Sequence, residues 1–288
     1  MTRWVILGCG YTGRRIGDRL LAEKECFTAT TRSEATLAEL RGRWDDDGEA
    51  TLTTLGTVSS IESLIEEGAV VVNSIPPSDE GVELEVRIAR ACSSAGARRL
   101  IYLSSTGVYG RCGIDPIDEQ TPVGPIHARG ERRLRAEQTI RNEAAALGLE
   151  CVALRIAAIY GPDRGVHVRL ARGEYRIFGD GQGRVSRVHV DDLVSAIVAA
   201  GRATPLQSDV YCIADDLPSG SREHADGVAA MMGLSPPPTS PESEASASLR
   251  AMHGADRSIS NRRAARELGW SLRYPSWREG TAALIATP

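Results

Sequence analysis

The chain has 288 residues, 42% of them hydrophobic, and a formal net charge of −4. That is enough for one large core or for a domain with an added lobe, and the acidic balance argues against a nucleic-acid partner. No apolar run approaches the roughly 20 residues of a membrane span, no charged-then-apolar leader precedes the first strand pattern, and the six cysteines are scattered without a CxxC pair, so we expect a reduced, cytoplasmic setting with no metal site and no disulfide framework.

Trp4-Val5-Ile6-Leu7 is a short apolar strand pattern that runs into Gly8-Cys9-Gly10-Tyr11-Thr12-Gly13, and a helical face of Ile16, Leu20 and Leu21 follows. Strand, glycine turn and helix in this order are what a dinucleotide needs. Gly8 permits the tight turn, Gly10 lets the backbone approach a pyrophosphate, Gly13 lets helix and strand pack closely, and the helix N-terminus aims N–H groups at the phosphates. Tyr11 and Thr12 lie between the glycines and join them as expected cofactor contacts. Cys9 reads either as a reactive thiol or as a small buried filler.

The second strand, Phe27-Thr28-Ala29-Thr30-Thr31, ends in Arg32-Ser33, where an NAD-preferring site carries an acid. Arg32 and Ser33 suit a 2′-phosphate instead, so NADP is the expected cofactor, with NAD the other candidate. Residues 33–43 then read as a helix, 44–48 as an acidic turn, 50–55 as a third strand, and Ile61, Leu64 and Ile65 as a short helix. Residues 69–73 form a buried-type strand stopped by Ser74-Ile75-Pro76-Pro77, which reads either as a plain strand stop or as a turn shaping the pocket, with Ser74 and Pro76 the expected cofactor contacts. A helix over 82–95 and a fifth strand over 99–103 follow, leading to Ser104, a further cofactor contact. Strands alternating with helices imply a parallel, doubly wound α/β sheet of the Rossmann type.

Residues 115–125 form a proline-rich loop, 129–147 a long helix and 151–156 a strand. The alternation then breaks. Residues 185–190 read as a short strand, Asp191 as the N-cap of a helix over 192–201, and 210–214 as another strand. Residues 235–248 read as a mobile loop, 261–268 as a short helix, and 270–277 as a segment packing the end. The division expected is a cofactor domain over 1–160 and a smaller substrate lobe over 161–288, with 185–214 returning to the first domain.

Several segments together resemble the extended branch of the short-chain dehydrogenase/reductase superfamily, the epimerases and dehydratases of nucleotide sugars. Gly8 to Gly13 resembles its cofactor loop, and Leu103-Ser104-Ser105-Thr106-Gly107-Val108-Tyr109-Gly110 the strand carrying its catalytic Ser/Thr. Leu154-Arg155-Ile156-Ala157-Ala158-Ile159-Tyr160-Gly161-Pro162 resembles its crossing to the substrate domain. Val188-His189-Val190-Asp191-Asp192-Leu193 and Glu267-Leu268-Gly269-Trp270 match two later motifs. The resemblance implies hydride transfer with a nicotinamide, a tyrosine moving the hydroxyl proton, a lysine lowering its pKa, and a Ser/Thr holding the substrate oxygen. The Ser/Thr role falls on Ser105, with Thr106 beside it. It also implies homodimers paired through the helices over 82–95 and 129–147.

The Tyr-x-x-x-Lys pair is missing. Aligned on Gly130 and Glu137, its positions hold Arg129 and Arg133, and Lys24 is the chain's only lysine. Arginine has no acceptor lone pair and stays charged, so it cannot serve as the base. Arg133 can still donate to a nicotinamide ribose. His127, Tyr109 and Tyr160 are candidate substitutes, each with a structural reading beside it, and His189 reads as structural. Thr106 and Tyr160, with Arg184 and Arg187 among the arginines of the lobe, are candidates for substrate binding, the arginines either through charge-assisted pairs with a nucleotide diphosphate or as a solvated surface. Two functions stay open. One is an oxidoreductase or epimerase-like enzyme acting on a sugar-like or nucleotide-sugar substrate. The other is a catalytically inactive NADP(H)-binding redox sensor.

Overall fold

The computed structural model describes residues 3–44, 50–55, 61–110, 113, 115–247, 249–250, 254 and 256–286. Most of the acidic turn expected over 44–48, Cys112 and Ser248 lie outside them. Seven strands form the central parallel sheet: β1 (Trp4–Leu7), β2 (Phe27–Thr31), β3 (Ala50–Thr54), β4 (Val70–Asn73), β5 (Arg99–Ser105), β6 (Cys151–Ile156) and β11 (Val210–Ile213). Their order is β11-β6-β5-β4-β1-β2-β3, so the chain winds outward in both directions from β1 and β4. Those two strands pair in register from Trp4 opposite Val70 to Leu7 opposite Asn73. Their C-terminal ends are the topological switch point at which doubly wound sheets bind ligands.

The helices are α1 (Tyr11–Ala22), α2 (Glu34–Trp44), α3 (Glu83–Ser94), α4 (Ala128–Ala146), α5 (Val166–Ala171), α6 (Val190–Arg202), α7 (Ser221–Met231), α8 (Arg262–Leu268) and α9 (Trp277–Ala286). No helix among the described residues is long and apolar enough to cross a membrane. The chain forms two compact units. One comprises residues 1–104, 132–154 and 197–210, the other residues 105–131, 155–196 and 211–288.

In the first unit, Val5, Leu7, Val71, Leu100 and Tyr102 are alternate residues on one sheet face, and α3 and α4 cover them with Ile88, Ala89, Ala136 and Ile140. Arg99 is buried, yet its charge is met by Glu150 at 2.5 Å and by the carbonyls of Ala200 and Ala203 at the end of α6. The second unit is built from short pairings, β7 (Ala158–Tyr160) with β10 (Arg187–His189) and β9 (Arg184–Val185) with β12 (Ser219–Gly220). Its small core gathers Tyr160 of β7, Leu170 of α5, Val228 and Ala229 of α7 and Trp277 of α9.

Three expectations change here. Residues 235–248 are not a free loop: β13 (Thr239–Ser240) pairs with β8 (Ile177–Phe178), and Gly179 N donates to Ser240 O at 3.0 Å. Helix α6 starts at Val190, which puts Asp191 inside its first turn and not at the N-cap. The described third helical pattern, near Ile61, is a single 3-10 turn over Glu62–Leu64. Helices α5, α7 and α9 are additional to the elements expected from the sequence.

Candidate functional site: the glycine turn and the end of the fifth strand

The turn after β1 is fixed by three different constraints. Gly8 has φ +86°, and a Cβ there would lie 2.9 Å from the Ile75 side chain, so only glycine fits. A Cβ on Gly13 would meet Gly8 O at 3.1 Å and Ile6 at 3.2 Å, which is the close helix–strand contact expected of it. Gly10 is different, because nothing lies within 4 Å of a Cβ built there. Gly10 is also the N-cap of α1, and no side chain caps that end. An uncapped twelve-residue helix facing open space presents main-chain donors and positive dipole to an anion. The residues present therefore fit a pyrophosphate.

Thr30 holds this turn. It is buried at the end of β2, and its hydroxyl accepts from Gly8 N at 3.1 Å while its carbonyl accepts from Cys9 N at 2.7 Å. In the sequence Thr30 reads only as one residue of the second strand. Thr12 is buried, whereas the Tyr11 ring packs under the Arg15 guanidinium at 3.8 Å. Burial pushes the Cys9 thiol up to about 12, so Cys9 is the small filler and not a reactive thiolate.

At the next strand end Arg32 is exposed. The Ser33 hydroxyl accepts from Thr36 N at 3.2 Å and so caps α2. The first acid, Glu34, accepts from the Thr54 hydroxyl at 3.3 Å. Beyond β4, Ser74 N donates to Leu7 O at 2.9 Å, and buried Asn73 accepts from Ile75 N at 3.0 Å, which bends the chain beneath Gly8. Asn73 was missed; an Asn closing a strand before a proline pair is the signal that could have found it. Pro76 is exposed.

The end of β5 separates two adjacent serines. Ser104 donates to the fully buried Glu137 at 2.5 Å, so its proton is committed inside the fold. Arg133, at the position of the absent lysine, donates from Nη1 to Leu103 O at 2.9 Å and to the Tyr102 hydroxyl at 3.2 Å. Burial pushes Tyr102 up to about 12 even beside that cation. Glu85, buried on α3, is held above the usual carboxylate range by burial, with Arg133 opposing the shift.

In the second unit the Ser105 hydroxyl accepts from Gly107 N at 3.1 Å. A hydroxyl that accepts once still has its own proton to donate. Thr106 opens the 3-10 turn that Ser105 caps. Arg129 is exposed in the first turn of α4. His127 Nδ1 accepts from Gly130 N at 2.8 Å, and a Cβ on Gly130 would lie 2.4 Å from Gly107 O, so His127 and Gly130 fix the start of the helix.

The remaining candidates are engaged within the protein. The Tyr109 hydroxyl donates to Asp118 O and accepts from Arg155, both at 2.8 Å. The Tyr160 hydroxyl donates to Ser276 O at 3.3 Å. Arg187 is buried, with Nη1 donating to Val185 O at 2.7 Å and to the Ser219 hydroxyl at 2.9 Å. Arg184 pairs with Asp256. His189 lies edge-on to Tyr160 and beneath Tyr274, in keeping with its structural reading. Asp192, also missed, is buried and accepts from Arg273 N at 2.7 Å and Tyr274 N at 3.0 Å.

A doubly wound parallel sheet with this glycine turn at its switch point defines a nucleotide-binding Rossmann-type protein. The family model of the NAD dependent epimerase/dehydratase family matches residues 4–214, and the chain belongs to that family. A 3-diazoavenalumate denitrifying reductase from Streptomyces sp is 31% identical over 213 residues, covering 70% of this chain and 68% of the reductase. A UDP-glucose 4-epimerase from Mycolicibacterium smegmatis is 33% identical over 140 residues, 44% of this chain and 45% of the epimerase. Among solved structures, a conserved protein of unknown function from Silicibacter pomeroyi superposes with a TM-score of 0.85 at 27% identity, covering 99% of both chains. MoeE5, solved with UDP-glucose and NAD, has a TM-score of 0.79 at 22% identity over 99% of this chain and 97% of its own, a likeness of fold.

Proposed function

We propose that the protein is an NADP(H)-dependent oxidoreductase that reduces a sugar-like carbonyl compound, free or nucleotide-linked. The observation that carries this reading is the open space over Gly10 at the uncapped start of α1. Gly8, Gly10, Thr12 and Gly13 would hold the pyrophosphate, Arg32 the 2′-phosphate, and Ser74 and Pro76 the nicotinamide side of the site. NADP is favoured over NAD because Arg32 is exposed while Glu34, the nearest acid, is tied to Thr54. When bound, the nicotinamide supplies the hydride.

Ser105 donates its free hydroxyl proton to the substrate oxygen, which polarises the carbonyl. Ser104 cannot share that task, because Glu137 takes its proton. Arg133 is a permanent cation anchored at the end of β5 and contributes charge but no proton. The alkoxide proton therefore comes from solvent. This suits a reductase better than an epimerase, which must return a proton and hydride to the same carbon and oxygen, and the reductase among the relatives agrees. The reading assigns the cofactor to residues 1–160 and the substrate to 161–288. It includes a cytoplasmic setting and a homodimer paired through α3 and α4, which sedimentation velocity checks.

Isothermal titration with NADPH and NADH, followed by a turnover screen on sugars and sugar nucleotides, tests the proposal. NADPH binding tighter than NADH with turnover of at least one carbonyl is expected. Arginines at both dyad positions favour one other reading, a redox sensor without turnover, and tight NADPH binding with no turnover across the panel would select it.

A further inference from the structure

The arginine that sequence reasoning offered to a diphosphate is occupied by the protein's own acid. Arg184 Nε lies 2.7 Å from Asp256 Oδ1 and its Nη2 lies 3.1 Å from Oδ2, a two-pronged pair in the geometry a phosphate would use. Asp256 Oδ1 also accepts from Arg184 N at 3.0 Å, and Arg184 Nη2 donates to Gly113 O at 2.5 Å. Arg257 N closes the arrangement by donating to Arg184 O at 2.9 Å. The carboxylate is thus held by both the main chain and the side chain of one residue. Asp256 reaches it from a left-handed conformation, φ +44°, which a side-chain-bearing residue adopts at a cost. The hydrogen-bonded pair holds Asp256 below and Arg184 above their ordinary pKa values, because each stabilises the other's charge.

Arg187 offers no substitute, since it is buried on Val185 O and Ser219. A phosphate arriving at Arg184 would have to displace a bidentate partner and would meet a second negative charge as it came.

We infer that Asp256 is a specificity-determining residue: by filling the guanidinium fork of Arg184 it restricts the substrate to a carbonyl compound without a phosphate or diphosphate. This rests on the oxidoreductase reading above and narrows it to free, non-nucleotide substrates. A charge that repels the wrong ligand achieves discrimination as effectively as a contact that attracts the right one.

The test begins with titration of the wild-type protein with NADPH. No binding there ends the oxidoreductase reading, and the remaining arms, then run without cofactor, still report on Asp256. With NADPH saturating, so that its own site is filled, UDP and inorganic pyrophosphate are titrated into wild type, Asp256→Asn and Asp256→Gly. The asparagine keeps the shape and loses the charge. The glycine relieves the left-handed backbone, so it folds even if the asparagine variant does not, and thermal melting confirms the fold of each. Wild type should bind neither probe below millimolar concentration. A folded Asp256 variant should gain about tenfold or more for both, and adding Arg184→Ala should remove the gain. Micromolar UDP binding by wild type, no gain in either folded variant, or a gain that survives Arg184→Ala would each overturn the inference.

Discussion

Asp215 should make the protein less stable as the pH rises, and Asp215→Asn should remove that dependence. Asp215 is completely buried just beyond β11, and burial, opposed by the Arg187 guanidinium, raises its carboxyl from 3.8 to about 8. Between those values the folded protein binds a proton that the unfolded chain has released, so protonation favours the fold at low pH and ionisation costs stability as the pH rises. The slope is about 1.4 kcal/mol per pH unit, or roughly 3 kcal/mol between pH 5 and 7. His224 acts in the opposite sense. Burial holds it well below its ordinary pKa, so it remains neutral in the fold while the unfolded histidine takes up a proton, and its contribution is lost as the pH falls below about 6.5. Wild type and Asp215→Asn share His224, so the difference between them isolates the aspartate. Urea unfolding of both proteins at pH 5, 6 and 7 should show curves that are closest at pH 5 and diverge in favour of the variant by pH 7. Parallel pH dependence would show that Asp215 ionises as freely in the fold as in the unfolded chain and would refute the argument.

Gly10→Val should abolish NADPH binding in titration while leaving the melting temperature near wild type, since the new side chain enters empty space over the helix end and meets no protein atom at Cβ. Gly13→Ala should instead destabilise by about 1 kcal/mol in urea unfolding, because its methyl must push against the Gly8 carbonyl and Ile6 at a cost exceeding the roughly 1 kcal/mol that alanine gains within a helix. Arg32→Ala should weaken NADPH about tenfold to a hundredfold, the loss of a charge-assisted hydrogen bond, and leave NADH unchanged; equal losses for both cofactors would remove Arg32 from the 2′-phosphate. Ser104→Ala should lower stability by about 1–3 kcal/mol, because buried Glu137 loses the Ser104 hydroxyl as a donor, whereas Ser105→Ala should lower turnover and cost only about 1 kcal/mol for the lost cap on Gly107 N. Turnover unchanged in Ser105→Ala would refute its role in polarising the carbonyl.

The legible parts of this chain are those whose function is local. Strand, glycine turn and helix lie within residues 4–22, and the Gly13 constraint arises from Ile6 and Gly8 a few positions away, although the Gly8 constraint comes from Ile75, just past β4. Partners distant in sequence were not legible. Thr30 closes the turn from 22 residues downstream, Asp256 reaches Arg184 across 72, and Asp192 fastens the segment at Arg273 across 81. The missed helices have physical reasons too. Helix α5 has only six residues, and α7 follows a glycine N-cap that offers no side-chain signal. Helix α9 contains Gly280, a poor helix former, but a Cβ there would lie 2.1 Å from the Tyr160 hydroxyl, so the glycine serves packing and not a turn. The same distinction applies at the missing dyad. The sequence shows that Lys24 is the only lysine and that arginines stand where the resemblance places the pair, because that is a matter of residue type. Only the structure shows that the arginine in the lysine position grips the Leu103 carbonyl and the Tyr102 hydroxyl. It serves as a fixed cation bracing the strand that delivers Ser105, so the reduction we propose draws its proton from water.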